Sequence, residues 1–131
     1  MIVDVLVPIR TVTGMNVREH PMARSRRVKK EKNATTMALL AYGAPTHQKL
    51  CRVLFVRVSP QLCDDDAIPP ACKAVRDAIA KAFGVSDGPN KGIEWTYDQV
   101  RGSKGQFAVR VTIETDESRP VEAVANNQRR T

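Results

Sequence analysis

The chain has 131 residues, a formal net charge of +7, 42% hydrophobic and 27% charged residues, and a pI near 9.7. That is one domain with the composition of an ordinary globular protein, and its basic excess points to a polyanionic partner. No apolar run approaches the ~20 residues that cross a bilayer, and the opening MIVDVLVPIR lacks a basic leader, so it reads as a strand in a cytoplasmic protein with no membrane role.

Residues 2–8 alternate well enough for a first strand, stopped by Pro8. A polar loop with Gly14 and Asn16 follows. From about Met22 to Tyr42 the chain has no Pro or Gly and reads as a helix, basic in its first half and apolar in its second, ended by Gly43, Ala44 and Pro45. Residues 49–58 form a second, largely buried strand. Because a residue before proline is pushed out of the helical region, Ile68 and Pro69 are expected to be non-helical. A second helix is then expected from Pro70 to Phe83, capped by Gly84. Its apolar face is narrow: Ala71, Ala74, Val75, Ala78, Ile79 and Ala82. Residues 93–101 and 106–114 alternate cleanly, and GSKG between them reads as a hairpin turn. Residues 115–131 are polar and read as a flexible tail. The predicted order is β-α-β-α-β-β, an α+β fold with a single mixed sheet packed against two helices, as one domain over residues 1–114.

Charge is unevenly distributed. Residues 1–60 carry 11 Lys/Arg against 3 Asp/Glu, and residues 61–131 carry 10 against 11. The basic half is concentrated in RSRRVKKEK, with Arg24, Arg26, Arg27, Lys29, Lys30 and Lys32 as candidate phosphate contacts; such a run is otherwise a solvated helix face. The acidic half opens with Asp64, Asp65 and Asp66 at the foot of the second strand. Carboxylates crowded this closely repel one another and favour a divalent cation, or else complement the start of the following helix. Two of them with Asp87, in the glycine-rich loop beyond that helix, would be chemically adequate for Mg²⁺. Lys73 and Asp77 share a helix face, either as a solvated i,i+4 pair or with Lys73 placed to stabilise charge on a phosphate. Trp95 and Tyr97 alternate on one strand and read as core or interface residues rather than a base-stacking platform. The three cysteines, Cys51, Cys63 and Cys72, are odd in number, lack CxxC spacing and read as buried, reduced thiols.

The stretch LCDDDAIPPACKAVRDAIAKAFGVSDG resembles the central motif of RusA-type Holliday junction resolvases, in which paired aspartates precede a helix carrying K-x-V-R-D and then a second acidic loop. The opening VPIRTVTGMNVREHPMARSRRVKK and the paired C-terminal strands extend the resemblance over roughly residues 2–114. It implies a homodimeric, Mg²⁺-dependent endonuclease (Mn²⁺ a possible substitute) that makes paired nicks in four-way DNA junctions during recombination and repair. Asp64, Asp66 and Asp87 would then hold metal, and Lys73 would match the family's helix lysine. The chain departs from the pattern at Ala67, where the family has Asn, at Ser86 and at Pro69–Pro70. Those departures support an alternative, a catalytically silent DNA-binding protein that keeps the fold.

Overall fold

The computed structural model describes residues 1–12, 19–85 and 92–120. Strand β1 (Ile2–Val7) leads to helix α1 (Pro21–Ala41) and strand β2 (Gln48–Ser59). A 3-10 turn (Asp65–Ala67) runs into two short helices, α2 (Ile68–Ala71) and α3 (Lys73–Ala82), followed by β3 (Glu94–Arg101) and β4 (Ala108–Pro120). The result is α+β with one mixed four-stranded sheet in the order β1-β4-β2-β3.

The sheet is built around β2, which pairs antiparallel with β4 and parallel with β3, while β4 pairs antiparallel with β1. Strand periodicity sends Val5 and Val7, Val109, Val111 and Ile113, Val53 and Phe55 to one face, all essentially solvent-free. There they form the core with Leu39 of α1, Ile68 of α2, Val75 and Ile79 of α3, and Phe83. Trp95 and Tyr97 join that face by stacking on Phe55, with ring centroids 6.1 and 5.0 Å away. α1 begins at His20, whose Nδ1 accepts from the Met22 amide at 3.1 Å, with Pro21 in the first turn, where no amide hydrogen is needed. Only one stripe of α1 (Glu31, Thr35, Ala38, Leu39) is buried, so Met37 and Leu40 of its apolar second half stay exposed.

Three expectations need correction. The last two strands are not a hairpin. β3 lies parallel beside β2, and residues 102–107 cross the end of β2 to start β4 on its other side, with the Gly102 amide bonded to the Ser59 carbonyl at 2.9 Å. Six residues span the ~9.5 Å of two strand spacings with ease. The crossing is close at Gly102, where a Cβ would meet the movable end of the Gln106 side chain at 2.8 Å and Val58 Cγ1 at 3.0 Å.

The second helix begins two residues earlier than expected and is broken. Ile68 is helical (φ −70, ψ −48) despite the following proline, its side chain anchored in the core at 2% exposure. Two prolines leave the first turn short of donors, and the chain tightens at Cys72, whose amide is shared between the Ile68 and Pro69 carbonyls at 3.1 and 3.2 Å.

The polar segment after residue 114 is not all tail, because β4 continues to Pro120. The N-terminal end of β2 extends beyond the start of β3 and takes its pairing from β4: Leu50 faces Thr115 and Lys49 faces Asp116. Thr115 is buried and its amide bonds the Met1 carbonyl at 2.8 Å. Residues 121–131 lie outside the described residues. No helix among the described residues is long and apolar enough to cross a membrane.

Candidate functional site

The acidic turn hangs from the C-terminal end of β2 and is fastened from beneath. Gln99 of β3 accepts from the Cys63 amide at 3.1 Å, donates to the Cys63 carbonyl at 2.7 Å, and reaches Asp65 Oδ1 at 3.5 Å. Arg57 of β2 donates to the Gln61 carbonyl at 2.9 Å and to Thr11 Oγ1 at 3.0 Å. The loop between Ser59 and Asp64 is therefore held by one amide clamp and one guanidinium. Asp64 is extended, the Ala67 amide bonds its carbonyl at 2.9 Å, and the 3-10 turn follows.

All three aspartates are exposed. Asp65 leans toward Gln99, whereas the Asp64 and Asp66 carboxylates have no hydrogen-bond or ion-pair partner among the described residues. Two exposed, unpartnered carboxylates one residue apart are a chemically fitting donor set for Mg²⁺, which takes few carboxylates and keeps several waters. Among the described residues no group of three or more His, Cys, Asp or Glu side chains is gathered for a metal. Asp87, the expected third ligand, lies outside the described residues. The described residues flanking that segment stand at the other end of the unit. The Val85 amide bonds the Ala80 carbonyl beyond the last turn of α3, and Glu94 opens β3 opposite Arg52, about 23 Å of strand from Ser59.

Lys73 opens α3, exposed, with its ammonium 3.2 Å from Asp77 Oδ1 in an i,i+4 pair. Next to this pair, α1 and α3 enclose a groove of about 410 Å³ whose walls include Ser25, Lys29, Lys32, Asp77 and Lys81. The basic run of α1 therefore divides in two. Arg26, Lys29 and Lys30 are exposed, and Arg24 lies 3.7 Å from Glu19. Arg27 faces inward. It donates to Glu19 through Nε at 3.0 Å and Nη2 at 3.0 Å, and to Glu31 through Nη1 at 3.1 Å. Burial pushes the Glu31 carboxyl up from its ordinary pKa, with Arg27 opposing, while the bond from Arg27 holds Glu19 below its own. Of the six residues expected to contact phosphate, Arg27 is thus spent on holding α1 together.

Three residues of this region were not singled out by the sequence: Arg57, Gln99 and Lys81. The signal for the first two was parity. Arg57 continues the Val53–Phe55 series of core-facing positions and Gln99 continues Trp95–Tyr97, so a polar side chain at either place must be buried against something.

No family model matches the chain, and no curated protein matches it. Among solved structures it is similar to 2C-methyl-D-erythritol-2,4-cyclodiphosphate synthase, at 19% identity over 66% of this chain and 53% of that one, with a TM-score of 0.32. A CDP-bound form of a synthase of the same name gives 20% identity over 74% and 58%, with a TM-score of 0.29. The chain spans little more than half the length of these proteins, and a likeness this slight carries no argument about fold or activity.

Proposed function

We propose that this protein is a Mg²⁺-dependent endonuclease that resolves four-way DNA junctions by paired nicks, acting as a homodimer. The observation that carries the reading is the exposed, unpartnered Asp64–Asp66 pair on a turn clamped by Gln99 and Arg57, in a chain whose helices α1 and α3 form a lysine-lined groove. The resemblance of the 62–88 stretch to RusA-type resolvases supplies the substrate and the dimer. Asp64 and Asp66 would hold Mg²⁺ or Mn²⁺, which when bound lowers the pKa of a water and polarises the phosphate; Asp87 enters as a third ligand through the resemblance alone. Arg26, Lys29, Lys30 and Lys32 would engage the phosphate backbone by charge, positioning the junction without reading its sequence. Lys73 would leave Asp77 to offset charge on the scissile phosphate, an exchange open to it because an exposed i,i+4 pair is worth only ~0.3–0.5 kcal/mol. A two-fold pair of chains suits a junction with two opposed strands to cut.

The test is cleavage of a labelled synthetic four-way junction with Mg²⁺ or Mn²⁺, beside Asp66→Asn. The reading expects symmetric paired nicks that vanish in the variant while junction binding survives; equal loss of binding and cleavage would make the acid structural. The second reading, a silent DNA-binding protein, is favoured by the engagement of Lys73 with Asp77 and by Ala67, which offers no polar side chain beside the acids. It expects tight, salt-sensitive binding with no nick.

A further inference from the structure

On the far side of the acidic loop is a cleft of about 650 Å³, its walls formed by Arg10 and Thr11, by Arg57 and Ser59, and by Gln61 and Phe107. Arg57 is its anomaly. The side chain is 5% exposed, yet its bonds are to neutral oxygens only: the Thr11 hydroxyl, the Gln61 carbonyl and, at 3.5 Å, the Gln99 amide. No carboxylate among the described residues lies within ion-pairing distance of it. A buried cation without a counter-charge is costly, so a fold that keeps one has a use for its charge. A second guanidinium stands at the mouth: Arg10 is exposed, with its Cζ 4.5 Å above the Phe107 ring, which orients it.

We propose that this cleft binds a phosphoryl group, with Arg57 at its floor and Arg10 at its rim. Guanidinium forks match phosphoryl oxygens in charge and geometry, and the Thr11 and Ser59 hydroxyls on the walls are neutral donors of the kind that complete such a site. The cleft is far larger than one tetrahedral anion, so the phosphoryl group can belong to a sugar–phosphate strand or arrive as free phosphate. Because Gln61 and Cys63 of its wall lead straight into Asp64, a strand phosphate held here would set the register of the next one over the acids. Only that last consequence rests on the nuclease reading; anion binding does not.

The experiment is thermal unfolding of the full chain in sodium phosphate against sodium chloride at matched ionic strength, for the wild type, Arg10→Ala and Arg57→Gln. The site predicts a saturable rise in Tm with phosphate, at least halved in Arg10→Ala and absent in Arg57→Gln. Arg10 is exposed, so its variant reads the site even if Arg57→Gln does not fold. An equal rise in chloride, or an unchanged phosphate response in Arg10→Ala, overturns the proposal. A second arm measures binding of a fluorescent single-stranded dodecadeoxynucleotide. A fivefold or greater loss in Arg10→Ala, with competition by phosphate, assigns the site to the strand backbone. Unchanged strand binding beside an Arg10-dependent phosphate response assigns it to free phosphate.

Discussion

Arg27→Ala removes the cation that two carboxylates share, and its effect can be worked out from the contacts. Glu31 is left with a side chain 5% exposed and no partner for its charge, whereas the Arg27 side chain it loses was 27% exposed. Breaking a buried ion pair from one side costs about 3–5 kcal/mol. Water reaches part of the vacated space, which brings the expectation to about 2–3 kcal/mol. For a domain of this size that is a fall in Tm of roughly 6–12 °C. The dependence on pH has a definite sign. Glu31 has a raised folded-state pKa, so the stability linked to its proton is complete below the unfolded value and is lost as pH rises through the folded one. Glu19 is depressed by Arg27, so its contribution is present above its unfolded pKa and lost as pH falls. Both effects make the Arg27→Ala deficit larger at pH 7 than at pH 4. Calorimetry of Arg27→Ala, Arg26→Ala and the double variant Arg27→Ala/Glu31→Gln at the two pH values decides the matter. Arg26→Ala should sit within about 0.5 kcal/mol of the wild type, and the double variant should recover most of the loss because no buried charge is stranded. A Tm change under about 2 °C in Arg27→Ala, or a double variant no better than the single, would refute the reasoning.

Gln99→Leu strips both bonds from the Cys63 backbone, and should cost about 1–3 kcal/mol and reduce junction cleavage more than junction binding; equal losses would mean the clamp does not position the acids. Lys29→Ala with Lys32→Ala should lower the slope of log K against log salt for DNA binding by ~1–2, and an unchanged slope would place the α1–α3 groove away from the nucleic acid. Cys72 is solvent-free and burial pushes its thiol up to about 12, so a maleimide at pH 8 should label Cys51 and Cys63 in the native protein and leave Cys72 untouched until unfolding. Mass mapping of the labelled chain reads this directly.

Much of the fold was legible because its elements carry strong local signals. The alternation in residues 49–58, the Pro- and Gly-free run of α1 and the Ala/Val/Ile stripe of α3 each determine an element by themselves. What was not legible depends on partners distant in sequence. GSKG looks the same whether the strands it joins pair with each other or straddle a third, and the choice was made by β2, which both of them contact. Thr115 and Asp116 read as tail because no local pattern announces that the start of β2 lacks a neighbour. At the site, the acids were visible as a run of like charge, but the two side chains that hold their loop were hidden as single polar residues in apolar strands. Arg27 shows the converse: in a run of six basic residues, only the helical phase separates the one turned inward from those facing water.

Strand β1 closes the sheet against β4. Ile2 pairs with Glu114 and the N-terminal ammonium donates to the Thr115 carbonyl, a contact across 114 positions of sequence. During synthesis β1 must therefore wait for its sheet partner until β4 has left the ribosome. Topologies closed this late fold in milliseconds to seconds rather than microseconds. The same closure ties the sheet together: a truncation that removes β4 takes away the strand that β1 pairs with among the described residues and one side of β2, so the sheet does not survive in pieces.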